Sequence, residues 1–412
     1  MFHDLAWNMK TRKYTVVIPT RERFDTLEMA LKSVTTQDYE NLEIVVSDNF
    51  SSDATEEVVK AAKDKRIKYV NTGRRVSMSE NWEFALAHVT GEWLTVIGDD
   101  DALLPNCFDK INKIADETGV EAIRTSTCSF AWPSLVGAKS GQLSVPMDCG
   151  WEMRDCYYWL EKVLVGKAPY SILPMLYNGG FVALDALKKA RDNAGRYYCS
   201  CAPDVYSAVL LSRVLHRYVY SYEPVAINGA SIHSTGTSVY KVGMKMEGES
   251  VPIEKFRSES NIPFHRDIPL QANGDYPKSI QALIYESYLQ VNEIWPTGKD
   301  LKHTEQLKVI LATASSHGES VHEWGKIFAE LHGIDFGKVA MEARRYSQKL
   351  KISRLPIKIF ELGNTYVMAS DECPVRDVYQ ASIAAALIRA IRPSRLGRTL
   401  KAIQAIVRRM RV

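Results

Sequence analysis

The chain has 412 residues, of which 46% are hydrophobic and 25% charged, a composition typical of a globular protein larger than one ordinary domain. The formal net charge of +3 is too small to indicate a nucleic-acid-binding protein. The cysteines are scattered without a zinc-binding pattern or a disulfide framework, so we expect reduced thiols in a cytoplasmic protein.

The first half of the sequence alternates between strand and helix patterns. Continuous apolar runs predict strands at Tyr14–Ile18, Leu42–Val46, Ile67–Val70, Glu92–Ile97 and Glu121–Thr125. Helical spacing predicts helices at Phe24–Thr36, Asp53–Ala62, Ser79–His88 and from Pro105 to about Glu117. This alternation predicts an α/β fold with a mostly parallel sheet covered by helices on both faces. Ligands of such sheets bind beyond the carboxyl ends of the strands, where we therefore look for functional residues.

The second half of the sequence is mainly helical. Residues 241–277 are rich in Gly, Pro, Ser and charged residues. This composition predicts a linker or a mobile loop over the ligand site at the strand ends. Beyond it, apolar spacing predicts helices at Ser279–Val291, Leu301–Ser315, Val321–Leu331, Phe336–Leu350 and Arg376–Ile391. We expect a first domain over residues 1–240, this linker, and a helical C-terminal region over residues 278–412.

Three consecutive carboxylates, Asp99, Asp100 and Asp101, follow the fourth predicted strand. Adjacent carboxylates at the end of a buried strand repel one another and resist desolvation, and a divalent cation relieves both problems. Oxygen ligands suit Mg²⁺ or Mn²⁺, which can bridge a pyrophosphate and neutralise a leaving nucleoside diphosphate. The alternative is that one Asp accepts hydrogen bonds from loop amides before the Pro105 helix while the others are solvated.

Polar residues also follow the first two predicted strands. Arg21 and Arg23, after Pro19 and Thr20, are suited to bind phosphate, although solvated arginines are the alternative. Asp48 can accept a hydrogen bond from the imide of a nucleotide base. Its alternative role is an Asx-type turn before the next helix.

Three segments carry a family resemblance: Val16-Val17-Ile18-Pro19-Thr20, the stretch from Val45 to Asp53, and the stretch from Gly91 to Pro105. With Ser79-Glu80-Asn81-Trp82 between the last two, their order and separation resemble the inverting glycosyltransferases of family two, over roughly residues 12–130. The resemblance implies the GT-A fold and a metal-dependent transfer of a sugar from a nucleotide-sugar to an acceptor hydroxyl, in glycan or polysaccharide biosynthesis. UDP is the expected nucleotide, because Asp48 suits the uracil imide, although thymine offers the same N–H.

The resemblance also implies roles for individual residues. Thr20 and Asp48 would contact the nucleoside, and Asp99 would lie near the ribose and diphosphate. Asp100 would be the principal ligand of Mn²⁺ or Mg²⁺, and Asp101 is the last acid of the motif. We assign Pro19, Arg21 and Asn81 to the nucleotide-sugar site and Asp101 and His233 to the metal. The sequence departs from the family pattern at Glu22, where the family often has Asn, and at Gly98, where many members have another Asp. The second departure leaves open which carboxylate contacts the ion.

Two candidates lie further along the chain. Asp204, at the start of a helix predicted over Asp204–Leu215 and about 100 residues beyond the acidic motif, occupies the place of the family's catalytic base. Its alternative role is to stabilise the first helical turn, since it follows Pro203. His233 lies where related enzymes place a histidine near the metal or diphosphate, and a surface loop histidine is its alternative.

The final segment, residues 394–412, is basic, contains no acid and repeats apolar residues at helical spacing. This pattern favours peripheral contact with an anionic membrane at the inner face of the cell membrane, where a lipid-linked or other glycan acceptor would be found. Packing on the protein's own surface is the alternative. No apolar run approaches the ~18 residues of a membrane-spanning helix.

Two other functions are consistent with parts of the sequence. A nucleotidyltransferase that makes the nucleotide-sugar would use a similar sheet and metal, but the residues after Ile18 lack the Gly-rich phosphate loop it normally carries. A non-catalytic module that binds nucleotide-sugar or glycan would not need the intact acidic motif.

Overall fold

The structure is a computed structural model that describes residues 11–135, 140–234, 262–297, 301–314, 318–369, 375–395 and 397–399, without the side chains of 354–362. Its strands are β1 (Tyr14–Thr20), β2 (Leu42–Asp48), β3 (Ile67–Asn71), β4 (Trp93–Val96), β5 (Ala102–Leu103), β6 (Ala122–Thr125), β7 (Cys128–Ala131), β8 (Leu143–Pro146), β9 (Trp151–Asp155), β10 (Gly180–Ala183), β11 (Arg217–Ser221), β12 (Ala226–Ala230) and β13 (Thr365–Met368). Its helices are α1 (Phe24–Thr35), α2 (Thr55–Ala61), α3 (Met78–Leu86), α4 (Cys107–Thr118), α5 (Cys156–Leu164), α6 (Leu184–Asp192), α7 (Pro203–Val214), α8 (Ile280–Ile294), α9 (His303–Thr313), α10 (Gly318–Leu331), α11 (Phe336–Asn364) and α12 (Val378–Ile391).

The larger sheet has eight strands in the order β3-β2-β1-β4-β10-β6-β11-β9. Strands β1 to β4 are parallel to one another, as their continuous apolar sequences predict. Strand β10 enters between β4 and β6 and is antiparallel to both, so the sheet as a whole is mixed. The carboxyl ends of β1, β2 and β4 therefore meet at one edge.

A smaller sheet has five strands in the order β13-β8-β7-β12-β5. Its strand β5 begins directly after the acidic residues, and β12 pairs with it antiparallel, with Ile227 opposite Ala102. This pairing brings the segment after β12 alongside the acidic loop. Strand β13, from the C-terminal part of the chain, pairs antiparallel with β8.

Apolar side chains cover both faces of the larger sheet. Helices α1 and α4 supply Leu27, Leu31 and Phe108 to one face. On the other face a continuous core joins α3, α5, α6 and α7 to α8, α9 and α10, whose Tyr285, Leu307 and Trp324 are buried there.

The predicted fold class, an α/β domain followed by a mainly helical C-terminal region, is confirmed. The limits of the predicted domains at residues 240 and 278 stay a prediction. Within the described ranges, no helix is both long and apolar enough to span a bilayer.

Candidate functional site

Three strand ends come together as the sequence predicts. Thr20 at the end of β1 is the parallel partner of Asp48 at the end of β2. The Thr20 hydroxyl donates to Oδ2 of Asp99, in the loop after β4, at 2.8 Å. The acidic loop thus lies directly beyond the carboxyl ends of the parallel strands, where ligands of such sheets bind.

Asp99 is a buried carboxylate with an arginine partner. Arg23 donates from Nη1 to Oδ1 of Asp99 at 3.0 Å and from Nη2 to the carbonyl of His233 at 2.5 Å. Burial raises the pKa of Asp99, and the positive charge of Arg23 opposes that rise. Thr20 donates to the other oxygen of Asp99. Arg23 thus links Asp99 to the segment after β12 through the His233 carbonyl.

Asp101 is fully buried and accepts three hydrogen bonds. The amides of Gly98 and Gly229 donate to it, each at 2.8 Å, and the Tyr177 hydroxyl donates at 2.9 Å. Burial, followed by the nearby charge of Asp100, raises the pKa of Asp101 to about 8. Protein donors occupy both oxygens, so the Asp101 side chain stabilises the loop. This is the role that the sequence left open as the alternative for one of the three carboxylates.

Asp100 is held through one oxygen. The Ser231 hydroxyl donates to Oδ2 at 2.7 Å, and the Ser234 hydroxyl donates to the same atom. The Trp132 indole N–H donates to the main-chain carbonyl at 3.0 Å. Among the described residues none donates a hydrogen bond to Oδ1, so Asp100 keeps one carboxylate oxygen for a ligand.

The described residues contain no group of three His, Cys, Asp or Glu side chains that could hold a metal ion. Mg²⁺ sites of nucleotide-binding proteins commonly take one or two carboxylates and complete the coordination with substrate phosphates and water. Asp100 Oδ1 fits such a site as a single hard oxygen ligand. A cation there would also oppose the repulsion between Asp100 and Asp101.

Asp48 is buried and accepts three hydrogen bonds. Tyr69 and Asn71, at the end of β3, donate to Oδ2 at 2.7 and 2.9 Å. The amide of Ser51 donates to Oδ1 at 3.0 Å, which is the turn-stabilising bond that the sequence offered as the alternative. Asp48 therefore supports the loop after β2 at the edge where the site lies.

Asn81 and Pro19 are part of the scaffold around the strand ends. The Ser47 hydroxyl donates to Oδ1 of Asn81 at 2.7 Å, and Nδ2 of Asn81 donates to the Ser47 carbonyl at 3.2 Å. These bonds tie α3 to the end of β2. Pro19 is buried within β1.

Arg21 lies in a cluster of arginines with Arg23 and Arg75. Burial, followed by the charges of Arg75 and Arg23, lowers the pKa of Arg21 to about 10. Three guanidinium groups close enough to affect one another produce a positive potential that suits a diphosphate. Arg75 forms an ion pair with Glu22.

Asp204 is at the start of α7, next to Pro203. The Tyr170 hydroxyl donates to its Oδ2 at 2.7 Å, and burial raises the pKa of the carboxyl. Burial, followed by the charges of Asp101, Asp100 and Asp204, raises the pKa of the Tyr177 hydroxyl, so Asp204 lies within electrostatic reach of the same phenol as the acidic loop. Amides of its own helical turn also hydrogen-bond to Asp204, as the alternative from the sequence expects.

The His233 ring faces Asp25 rather than a carboxylate of the acidic loop. Its Nε2 lies 3.3 Å from Oδ2 of Asp25, and this hydrogen bond raises the pKa of the imidazole. The serines on either side of His233, not its ring, reach Asp100.

Comparison with known proteins identifies the first part of the chain. Residues 15–130 match the family model described as glycosyl transferase family 2. This segment is a family 2 glycosyltransferase domain. The chain is 39% identical over 108 residues to the GalNAc(5)-diNAcBac-PP-undecaprenol beta-1,3-glucosyltransferase of Campylobacter jejuni, and the alignment covers 26% of this chain and 35% of that protein. It is 27% identical over 112 residues to the succinoglycan biosynthesis protein ExoO of Rhizobium meliloti, covering 27% of this chain and 32% of that protein.

The chain therefore matches only about a third of the length of these curated relatives. Among solved structures, Staphylococcus aureus TarS 1–349 in complex with UDP-GlcNAc superposes with a TM-score of 0.47 and 12% identity, over 83% of this chain and 91% of that one.

Several residues of the site lie outside the family 2 domain, and sequence reasoning missed them. Tyr170, Tyr177, Ser231 and Ser234 contact the candidate acids but follow residue 130. The glycine pair after Tyr177 was a signal, because a Cβ on Gly180 would lie 1.8 Å from the Met175 carbonyl oxygen. Ser231 and Ser234 carried no such signal, because serine is common in loops that have no functional role.

Proposed function

We propose that the protein is a metal-dependent, inverting glycosyltransferase that moves a sugar from a UDP-sugar to an acceptor hydroxyl in glycan biosynthesis. One observation carries the proposal: Asp100 alone of the three loop carboxylates keeps an oxygen that the described residues do not occupy. Its neighbours Asp99 and Asp101 are neutralised or enclosed by protein donors.

The donor is proposed to lie along the strand ends. Thr20, Asp48 and Asn81 belong to the nucleoside side of this edge, and Arg21 with Asp99 to the diphosphate side. Of the residues expected at Mn²⁺ or Mg²⁺, we propose Asp100 as the direct ligand, while Asp101 and His233 hold the loop around it. A bound divalent ion would neutralise the charge that develops on the departing diphosphate.

Asp204 is the proposed base. Inversion requires the acceptor hydroxyl to attack the anomeric carbon from the face opposite the leaving group, while a carboxylate takes its proton. Burial supports this role, because it raises the pKa of Asp204 and makes the carboxylate a stronger base. The Tyr170 hydroxyl and amides of the first turn of α7 hold this carboxylate at the start of the helix.

The acceptor and the location of the protein are also proposals. The Campylobacter jejuni relative is by name a glucosyltransferase of an undecaprenol-linked glycan. We propose a lipid-linked or other glycan acceptor at the inner face of the cell membrane, with a cytoplasmic protein. Membrane contact was expected from residues 394–412, most of which lie outside the described residues. We further propose residues 1–240 as the catalytic domain and 278–412 as a region for acceptor or membrane contact.

Purified protein incubated with a panel of nucleotide-sugars tests the proposal. We expect Mn²⁺-dependent release of UDP, abolished by chelation and by Asp100→Asn, and product of inverted anomeric configuration by NMR. Asp185→Asn is the matched control, because Asp185 is an exposed carboxylate remote from the loop in sequence. Donor turnover that survives both chelation and Asp100→Asn would contradict metal dependence.

The same assay separates the two alternative functions. Release of pyrophosphate from a nucleoside triphosphate would instead indicate a nucleotidyltransferase. Metal-dependent UDP binding by calorimetry without turnover on any acceptor would indicate a binding module.

A further inference from the structure

Helix α12 has an apolar stripe that is partly to largely exposed in the described part of the chain. Val378, Ala381 and Ala385 are fully buried against the smaller sheet. Ile383, Leu387 and Ile391, spaced four residues apart, are 38%, 58% and 76% exposed. Such spacing places the three side chains in one stripe along the helix, with exposure increasing towards the C-terminal end.

The chain around this stripe is strongly basic. From Val378 to Val412 the sequence has no Asp or Glu and carries Lys or Arg at positions 389, 392, 395, 398, 401, 408, 409 and 411. Arg389 is occupied within the fold, since it donates to the carbonyls of Pro146 and Asp148. Arg392 and Arg395 are exposed at the end of the helix, next to Ile391.

We infer that this stripe, Ile383, Leu387 and Ile391, docks on an anionic lipid bilayer. An exposed aliphatic ridge flanked by arginines and free of acids matches the boundary between acyl chains and anionic headgroups. A second copy of the chain suits the stripe less well, because a two-fold contact would bring the same arginines of both copies together. The surface does not depend on the proposed transfer reaction.

Docking through α12 would also position the candidate site. Helix α12 packs against α1, which begins next to Arg23, and against β5 and β12, which flank the acidic loop. A bilayer bound to the outer face of α12 is therefore one helix layer away from the elements that carry Asp100 and Ser231. This arrangement would keep the site close to a lipid-linked acceptor.

Vesicle flotation of the full-length protein tests the inference. Vesicles of equimolar phosphatidylcholine and phosphatidylglycerol are compared with phosphatidylcholine alone. We expect preference for the anionic vesicles, and Leu387→Ser/Ile391→Ser to weaken that binding about tenfold. The matched control Leu331→Ser/Ile352→Ser removes equally exposed aliphatic side chains, 54% and 73% exposed, from other helices and should bind like the parent.

Two outcomes would overturn the inference. Undiminished vesicle binding by Leu387→Ser/Ile391→Ser would mean that the basic segment alone binds lipid. A parent protein that is dimeric by light scattering, and monomeric only in this variant, would make the stripe a contact between copies. Thermal unfolding checks that the variant folds, and UDP binding in solution checks the candidate site independently, so failure of one proposal is distinguishable from failure of the other.

Discussion

The hydroxyl of Tyr177 donates a 2.9 Å hydrogen bond to Oδ2 of Asp101 and thereby joins the turn before β10 to the loop after β4. Two backbone amides, from Gly98 and Gly229, complete the coordination of the same carboxylate. Asp101 is thus held from three different parts of the chain. The loop that presents Asp100 is fixed before any ligand binds, which lowers the cost of ordering it on binding.

Asp100→Asn should abolish metal-dependent nucleotide binding. Its neutral amide is a much weaker ligand for a hard cation, so we expect Mn²⁺-dependent UDP affinity to fall more than about a hundredfold. Calorimetric titration with UDP in the presence and absence of Mn²⁺ measures this change. Unaltered metal-dependent affinity would exclude Asp100 as a ligand.

The titration of Asp101 should appear in the stability of the protein. Its pKa is about 8 in the fold, above the ~4 of an unfolded aspartate. The folded state therefore binds the extra proton between these values, and its free energy of unfolding should fall as pH rises from about 4 to about 8. Urea unfolding across this range should show a smaller fall for Asp101→Asn than for the parent. An equal slope in both proteins would contradict the raised pKa, and Asp185→Asn should behave like the parent.

Tyr170→Phe should shift the pH dependence of catalysis. Burial raises the pKa of Asp204, while the hydrogen bond from Tyr170 lowers it. Removing that donor should raise the pKa further, so the acidic limb of kcat/KM should move to higher pH. Asp204→Asn should lower kcat by about 10²–10⁴-fold with little change in UDP affinity. An unmoved limb in Tyr170→Phe would indicate that Asp204 is not the group titrating in the rate.

Arg23 and Asp99 should be strongly coupled in stability. Arg23→Gln leaves the carboxylate of Asp99 without its counter-ion at a position only 2% exposed, which should cost about 3–5 kcal/mol. Asp99→Asn in the same chain should recover part of this loss, because the buried charge is then absent. Urea unfolding of the two single variants and the double variant gives the coupling, and additive losses would contradict it.

Gly229→Ala should disrupt the candidate site. A Cβ on Gly229 would lie 1.7 Å from the main-chain oxygen of Asp100, a contact that only backbone movement can relieve. We expect the melting temperature to fall and metal-dependent UDP binding to be lost. Gly318→Ala is the matched control, since its Cβ would meet no atom within 4 Å. Normal UDP binding by Gly229→Ala would show that the loop tolerates displacement.

The parallel half of the larger sheet was predictable from the sequence. Strands β1 to β4 are apolar runs of strand length, and the segments that connect them include apolar residues at helical spacing. The local sequence therefore predicts both these strands and the helices between them, which make the strands parallel. The meeting of Thr20, Asp48 and Asp99 at one edge follows from the common direction of those strands.

The contacts that Tyr177, Ser231 and Ser234 make with the acidic loop could not be predicted from the sequence in the same way. Strand β10 lies between β4 and β6 although more than fifty residues separate it from either in the chain, and this placement fixes Tyr177. The bonds of Ser231 and Ser234 to Asp100 depend on the pairing of β12 with β5. Periodicity carries no information about such distant pairings.

The pairing of β13 with β8 makes the two halves of the chain depend on each other. A protein shortened after α10 would leave the β8 backbone without this neighbour and would expose a strand edge of the kind through which proteins aggregate. The first part of this chain, from β1 to β12, should therefore not fold well when it is transferred by itself, and an exchange between relatives that includes β8 would also have to include β13.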